Sequence, residues 1–137
     1  MTKIPHILLI DDDKTTNFLN QLLLENLGVA DQVLVAENGR EALTLFESRS
    51  EIGQGATLVL LDIHMPVMNG FEFLEAYQQL AFAHKHTVVI IMLTTSLNSR
   101  DISRLERLPV QGFLSKPLRP EMVHTLLQQH FSIPMPS

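Results

Sequence analysis

The sequence contains no cysteine, which removes disulfides as a source of stability and a thiolate as a source of chemistry. Positive charge is also scarce: 10 lysines and arginines stand against 15 aspartates and glutamates, leaving a formal charge of −5 at pH 7. Binding to a phosphate backbone needs clustered Lys and Arg, so a nucleic-acid partner is not expected. No apolar run approaches the roughly 20 residues of a membrane-spanning helix. The opening MTKIPHILLI is too short, and too soon followed by acid, to act as a secretory signal. Repeats, low-complexity tracts and linkers are missing too. The 137 residues fit one domain with a sizeable core, and the expectation is a soluble cytoplasmic protein with no membrane partner.

What the chain does have is a series of short apolar runs that mostly end in polar residues. The central one, Leu58 to Leu61, stops at Asp62 and is followed by Pro66 and the turn pair Asn69-Gly70. Unbroken apolar runs of this length predict strands buried on both faces, as in parallel sheets. Ile7 to Ile10 ends at Asp11-Asp12-Asp13, and Gln32 to Glu37 forms a second strand before Asn38-Gly39. Thr87 to Leu93 ends at Thr94-Thr95-Ser96, and Val110 to Ser115 ends at Lys116-Pro117.

Helix-period segments lie between these runs. Thr15 to Leu27 repeats Leu19, Leu22, Leu23 and Leu27 at helical spacing and stops at Gly28. Arg40 to Ser50 buries Ala42, Leu43 and Phe46, and Phe71 to Ala81 lines up Phe73, Tyr77, Leu80 and Ala81. Asn98 or Ser99 caps a fourth helix through Leu108, which Pro109 breaks, and Pro120 opens a last one carrying Met122, Val123, Leu126, Leu127 and Phe131. Five strands alternating with five helices predict a doubly wound α/β sheet with right-handed crossovers. In such sheets the ligand crevice lies beyond the carboxyl ends of the strands, where Asp11, Asp12, Asp62, Thr94 and Lys116 all fall.

The fragments ILLIDDD, LLDIHMPVMNG, IIMLTTS and GFLSKP, in this order and at these intervals, resemble the receiver domain of two-component response regulators. The likeness runs from Ile7 to Phe131. It implies a flavodoxin-like, doubly wound five-stranded parallel sheet in the order 2-1-3-4-5 with five helices. On this basis we expect a receiver domain over residues 1–131, a short tail over 132–137 and no output domain. The resemblance further implies that Asp62 accepts a phosphoryl group from a sensor histidine kinase or a histidine phosphotransfer protein in a Mg²⁺-dependent reaction. Asp12 and Asp62 would ligate the metal directly, Asp11 mainly through water, and His64 through its backbone carbonyl. Lys116 would be the cationic clamp, joined to Pro117 by a cis bond. Thr94 and Phe113 would be the switch pair, altering the surface of the fourth helix, fifth strand and fifth helix for a downstream protein effector or onward relay. A phosphorylation-dependent dimer through those helices is left open. Such a domain is a signalling phosphoacceptor that assists its own phosphorylation and dephosphorylation, not a conventional enzyme.

The residue types fit this chemistry in their own right. Three carboxylates gathered at one sheet edge repel one another unless a cation joins them, and Mg²⁺ is a hard cation that takes carboxylate, water and phosphate oxygens. An ionised aspartate can attack phosphorus without a general base, and phosphoryl transfer is mostly positioning and charge neutralisation. One hydrogen bond from the Thr94 hydroxyl to a charged phosphoryl group contributes about 1.5–3 kcal/mol, whereas moving a population from 1:99 to 99:1 needs about 5.5 kcal/mol. Lys116, the metal and backbone amides must therefore share in any complete switch.

Plainer roles exist for each residue. Asp12 or Asp13 can cap the first helix, Asp62 can serve the turn before Met65-Pro66, and Thr94 and Thr95 can cap a helix. Lys116 can be a solvated loop lysine, Phe113 plain core, and His84-Lys85-His86 a solvated loop. None of these explains four polar strand ends together. Three positions depart from the commonest receiver pattern. Thr95 stands where a small residue is usual and would narrow the path of attacking water. His64 puts an imidazole two residues after the nucleophile, and Arg119 precedes Pro120 where an acidic or small cap is common. The alternative is a haloacid-dehalogenase-like phosphohydrolase with Asp11 as nucleophile, since Asp11 to Thr15 matches D-x-D-x-T. That family needs a later acidic motif, yet only Glu121 follows Lys116, and Asp62 goes unexplained. A docking scaffold of receiver shape would lack site residues, and none of the core set is missing.

Overall fold

The structure, a computed structural model, describes residues 3–48, 52, 55–80, 87–95 and 98–134. In chain order it runs β1 (Ile4–Ile10), α1 (Lys14–Leu27), β2 (Ala30–Ala36), α2 (Gly39–Ser48), β3 (Thr57–Leu61), α3 (Gly70–Gln78), β4 (Val88–Thr94), α4 (Ser99–Leu105), β5 (Gly112–Ser115) and α5 (Pro120–Phe131). The strands are parallel and ordered β2-β1-β3-β4-β5, the flavodoxin-like arrangement expected from the sequence.

Strand alternation divides the core into two slabs. Leu8, Ile10, Val59, Leu61, Ile90 and Met92 face one side, against Phe46 of α2 and Phe73 and Tyr77 of α3. Those rings meet at centroid distances of 5.4–6.3 Å, within the range of favourable aromatic pairs. Burial pushes the Tyr77 hydroxyl up to about 12. The opposite slab is largely aliphatic: Ile7, Leu9, Leu58, Leu60, Ile91 and Leu93 pack on Leu24 of α1 and Val123, Leu126 and Leu127 of α5.

The helix ends follow local chemistry. Asp13 caps α1 by accepting from the Thr15 N–H, and Gly28 closes the helix at φ 63°, a conformation that costs glycine little. Asn69 and Glu72 form a reciprocal capping box at the start of α3. Asn98 caps α4 by accepting from the Asp101 N–H at 2.8 Å. Arg104 of α4 donates to Glu75 of α3 at 3.0 Å and lies 4.3 Å over the Phe71 ring.

Several sequence expectations need correction. On α1, Leu19 and Leu22 are 55% and 45% exposed, while the fully inward residues are Leu24 and a polar one, Asn17; Leu23 and Leu27 are partly buried. The helix carries apolar residues around most of its circumference, so spacing alone selects the wrong stripe. The fourth helix stops at Leu105, because the N–H groups of Arg107 and Leu108 turn back to carbonyls three residues earlier. Helix α3 ends at Gln78, and Leu80 follows in a similar tight turn. Strand β5 starts at Gly112, not Val110. Before it, Gln111 pairs with Ile90 through both its main-chain N–H and its side-chain oxygen. Residues 49 and 50 of the expected second helix, Ala81 of the third, and His84 to His86 lie outside the described residues.

Candidate functional site

The ladder registers bring the strand ends into line. Ile10 is opposite Leu61, Leu61 opposite Met92, and Thr94 opposite Ser115. The next residues continue the pairing, with Asp11 donating its N–H to the Ala36 carbonyl, Asp62 to Ile10 and Lys116 to Thr94. Hydrogen bonding of the sheet itself thus carries Asp11, Asp62, Thr94 and Lys116 to one edge. Asp12 follows Asp11 and is exposed.

One ligand atom from each of Asp11, Asp12 and Asp62 lies within 4.8 Å of the others. Lys116 Nζ is 2.6 Å from Asp11 Oδ2 and 3.6 Å from Asp62 Oδ1. Burial, followed by repulsion from Asp11, raises the Asp62 carboxyl above the usual range, and the Lys116 charge offsets only part of this. Burial pulls the Lys116 ammonium down, but its hydrogen bond and charge attraction to Asp11, with help from Asp62, leave it raised. Asp13 stands apart. The Thr16 hydroxyl lowers its pKa most, with backbone N–H groups adding to this, and capping is its role. An all-oxygen donor set beside an open sheet edge fits a hard divalent cation such as Mg²⁺.

Asp11 is held at every polar atom. Its Oδ1 accepts from the Asp13 N–H at 2.9 Å, its Oδ2 from Lys116, and its carbonyl from Asn17 Nδ2 at 2.7 Å. Across the site, Thr94 is buried and its Oγ1 has no hydrogen-bond partner among the described residues. Phe113 is 48% exposed, so it is not the core residue that its type suggests. The peptide bond between Lys116 and Pro117 is cis. The side chains of His64 and Thr95 are both exposed.

The loop after Asp62 is bound closely to it. Gly70 donates its N–H to the Ile63 carbonyl at 2.8 Å, and a Cβ on Gly70 would stand 2.5 Å from the Asp62 carbonyl oxygen. Only glycine fits there. Val67, at φ 67° and 79% exposed, holds a conformation that is unfavourable for a β-branched residue. Asn17 escaped the sequence analysis altogether. Its one signal was its place seven residues before Leu24, two turns earlier on the inward line of α1.

Comparison with known proteins gives a consistent result. The family model described as the response regulator receiver domain matches residues 7–128. An uncharacterized 14.6 kDa protein from the sodA1 3′ region of Leptolyngbya boryana is 33% identical over 90% of this chain and 88% of its own length. The autoinducer 1 sensor kinase/phosphatase LuxN of Vibrio campbellii is 31% identical over 82% of the chain, but the match spans 12% of that much longer protein. A crystal structure of a two-component response regulator from Cytophaga hutchinsonii superposes with a TM-score of 0.83 at 27% identity, covering 95% of this chain and 98% of the other. The phosphohydrolase alternative finds no support. The matching family is a different one, and the Asp11 carboxylate is tied up by Asp13 and Lys116.

Proposed function

The chain belongs to the response regulator receiver domain family, and from that premise we propose that Asp62 is its phosphoacceptor, with Lys116 as clamp and Thr94 and Phe113 as the switch pair. The observation that carries this is the cluster itself: Asp62, at the end of the central strand, faces two further carboxylates and a lysine ammonium 3.6 Å away. Asp11, Asp12, Asp62 and the His64 carbonyl would hold Mg²⁺, which when bound supplies neutralising charge between the carboxylates and the phosphoryl oxygens. An Asp62 oxygen forms the new bond to phosphorus while the phosphorus–nitrogen bond of a donor phosphohistidine breaks. The electron pair leaves with the imidazole, which takes up a proton. Lys116 stabilises the charge on the phosphoryl oxygens throughout.

The phosphoaspartate then carries about −1.5 to −2 charges, taking a phosphoryl group on a side chain as the guide. The Thr94 hydroxyl, without a partner among the described residues, is a ready donor to it, and its movement opens the space that Phe113, now half exposed, turns into. The altered surface spans α4, β5 and α5 and serves a downstream protein effector. Water attack at phosphorus restores Asp62, past Thr95 and His64 at the rim.

A histidine kinase or histidine phosphotransfer protein is the proposed donor. In support, an apolar groove of about 350 Å³ runs between α1 and the loop after β5, lined by Leu19, Leu23, Pro117 and Leu118 beside Thr16, Asn20 and Lys116. The exposure of Leu19 makes sense as part of that docking face. Among the described residues no helix is long and apolar enough to cross a membrane.

Intact mass after incubation with a small phosphodonor and Mg²⁺ tests the assignment. Wild type is expected to gain one hydroxylamine-labile phosphate, lost with chelator and absent in Asp62→Asn. An adduct that survives in Asp62→Asn but disappears in Asp11→Asn would overturn it.

A further inference from the structure

Asn17 is 4% exposed on a helix whose neighbouring positions carry exposed leucines. A polar side chain occupies the inward line here, and burying an amide without partners is costly. Its two ends have different surroundings. Nδ2 donates to the Asp11 carbonyl at 2.7 Å, whereas Oδ1 is buried with no partner among the described residues. Beneath the sheet edge lies a cavity of about 10 Å³, lined by Leu9, Leu60 and Leu93 and by the polar residues Asp11, Asn17, Asn20 and Asp62. That is close to the smallest space that holds one water, and such a water needs two to four polar partners.

We propose that Asn17 is a positioning residue for phosphoryl acceptance: its Nδ2 fixes the Asp11 carbonyl, and with it the acidic turn, while its Oδ1 accepts from one ordered water that also donates to the Asp62 carboxylate. The inference rests on Asp62 being the phosphoacceptor. Asn17 touches neither the phosphoryl group nor the metal. It sets the direction of the groups that do, in the way that outer partners orient metal-binding carboxylates. An amide serves because it offers a donor to the carbonyl and an acceptor to the water at the same time.

The test is calorimetric titration with Mg²⁺ alone, together with phosphorylation rates from a small phosphodonor at saturating Mg²⁺. It compares wild type with Asn17→Leu, which keeps the bulk, and Asn17→Ser, which keeps a small donor should the leucine variant fail to fold. Leu24→Val, which loosens packing on the same helix, controls for stability. Loss of an orienting partner typically costs about 10–100-fold in metal affinity or activity. We expect at least about tenfold weaker Mg²⁺ binding and slower phosphorylation in Asn17→Leu, with a smaller loss in Asn17→Ser. Leu24→Val is expected to melt earlier yet bind Mg²⁺ as wild type does. Folded Asn17 variants with wild-type affinity and rate would overturn the inference alone. A wild-type chain that neither binds Mg²⁺ nor forms the adduct would overturn the phosphoacceptor assignment as well. A crystal structure that shows ordered solvent should place one water within hydrogen-bond distance of both Asn17 Oδ1 and Asp62; a dry cavity would overturn the bridge.

Discussion

The two flanks of Asp62 are built differently. On the β1 side, Asp11 has its N–H, its carbonyl and both carboxylate oxygens engaged. On the β4 side, the Thr94 hydroxyl is buried with no hydrogen-bond partner among the described residues, and Phe113 is half exposed. The first flank is over-determined and suits groups that must hold a fixed position during the chemistry. The second has bonds still to make, and a bistable element needs that kind of slack. The two flanks lie on either side of β3, at the same sheet edge.

The sharpest way to break the contrast is to remove Lys116, the one cation among the described residues that reaches both Asp11 and Asp62. In Lys116→Met the acidic groups lose their partner, and breaking a buried ion pair costs about 3–5 kcal/mol, less here because the lysine retains some exposure. Thermal denaturation in chelator should show the loss, and added Mg²⁺ should restore part of it. The sign with pH follows from the raised lysine value: the stabilising contribution is full at neutral pH and fades only as pH rises past the ordinary lysine value towards the folded one.

Asp62→Asn should act in the opposite direction. The folded Asp62 pKa is raised, so its contribution to stability is full below the unfolded carboxyl value and is lost as pH rises through the folded one. At neutral pH the ionised group therefore weakens the fold, and the asparagine variant is expected to melt higher in chelator. The difference should shrink on acidification. It should also narrow or reverse in Mg²⁺, since a ligand at 100 times its Kd stabilises the chain that binds it by about 2.7 kcal/mol.

Thr94→Val probes the slack flank. Replacing a buried hydroxyl that has no partner among the described residues by a methyl of the same shape should stabilise the unphosphorylated protein by about 1 kcal/mol, as read from denaturant unfolding. The phosphorylated protein should respond less, visible as smaller chemical-shift changes in β5 and α4. A valine variant that is less stable than wild type would show that the hydroxyl is already bonded. The smallest effect belongs to the loop between the flanks. Val67→Gly should relieve left-handed strain of about 1–2 kcal/mol against an entropic cost of about 0.5–1 kcal/mol. A net gain of a few tenths of a kcal/mol in chemical unfolding is the expected result.

Much of this arrangement could be read from the chain because it is encoded locally. Apolar runs ending at Asp62, Asp11, Thr94 and Lys116 state both the strands and their ends, and parallel pairing then brings those ends together without further information. Asn17 was not legible for the opposite reason. Its burial depends on a carbonyl six residues away and on a cavity that no single segment defines. The inward face of α1 was misassigned through Leu19 and Leu22 for a related cause: hydrophobic periodicity does not distinguish leucines that face a core from leucines that stay exposed. The exposure of Phe113 was hidden too, since an aromatic in a strand ordinarily signals burial. The start of β5 was blurred because Gln111 pairs with Ile90 partly through its side chain, its Oε1 accepting from the Ile90 N–H while its own N–H donates to the Ile90 carbonyl.

The contact of Arg104 with Glu75 and Phe71 has a consequence at the level of linkage. Phe71 follows Gly70, whose N–H is bonded to the Ile63 carbonyl beside Asp62, so the guanidinium fastens α4 to the very turn that supports the proposed acceptor. Coupling of this sort is reciprocal in free energy. A ligand on α4 whose affinity changes when Asp62 is occupied must change the ease of occupying Asp62 by the same factor, so an effector seated there would also determine how readily the proposed acceptor is filled.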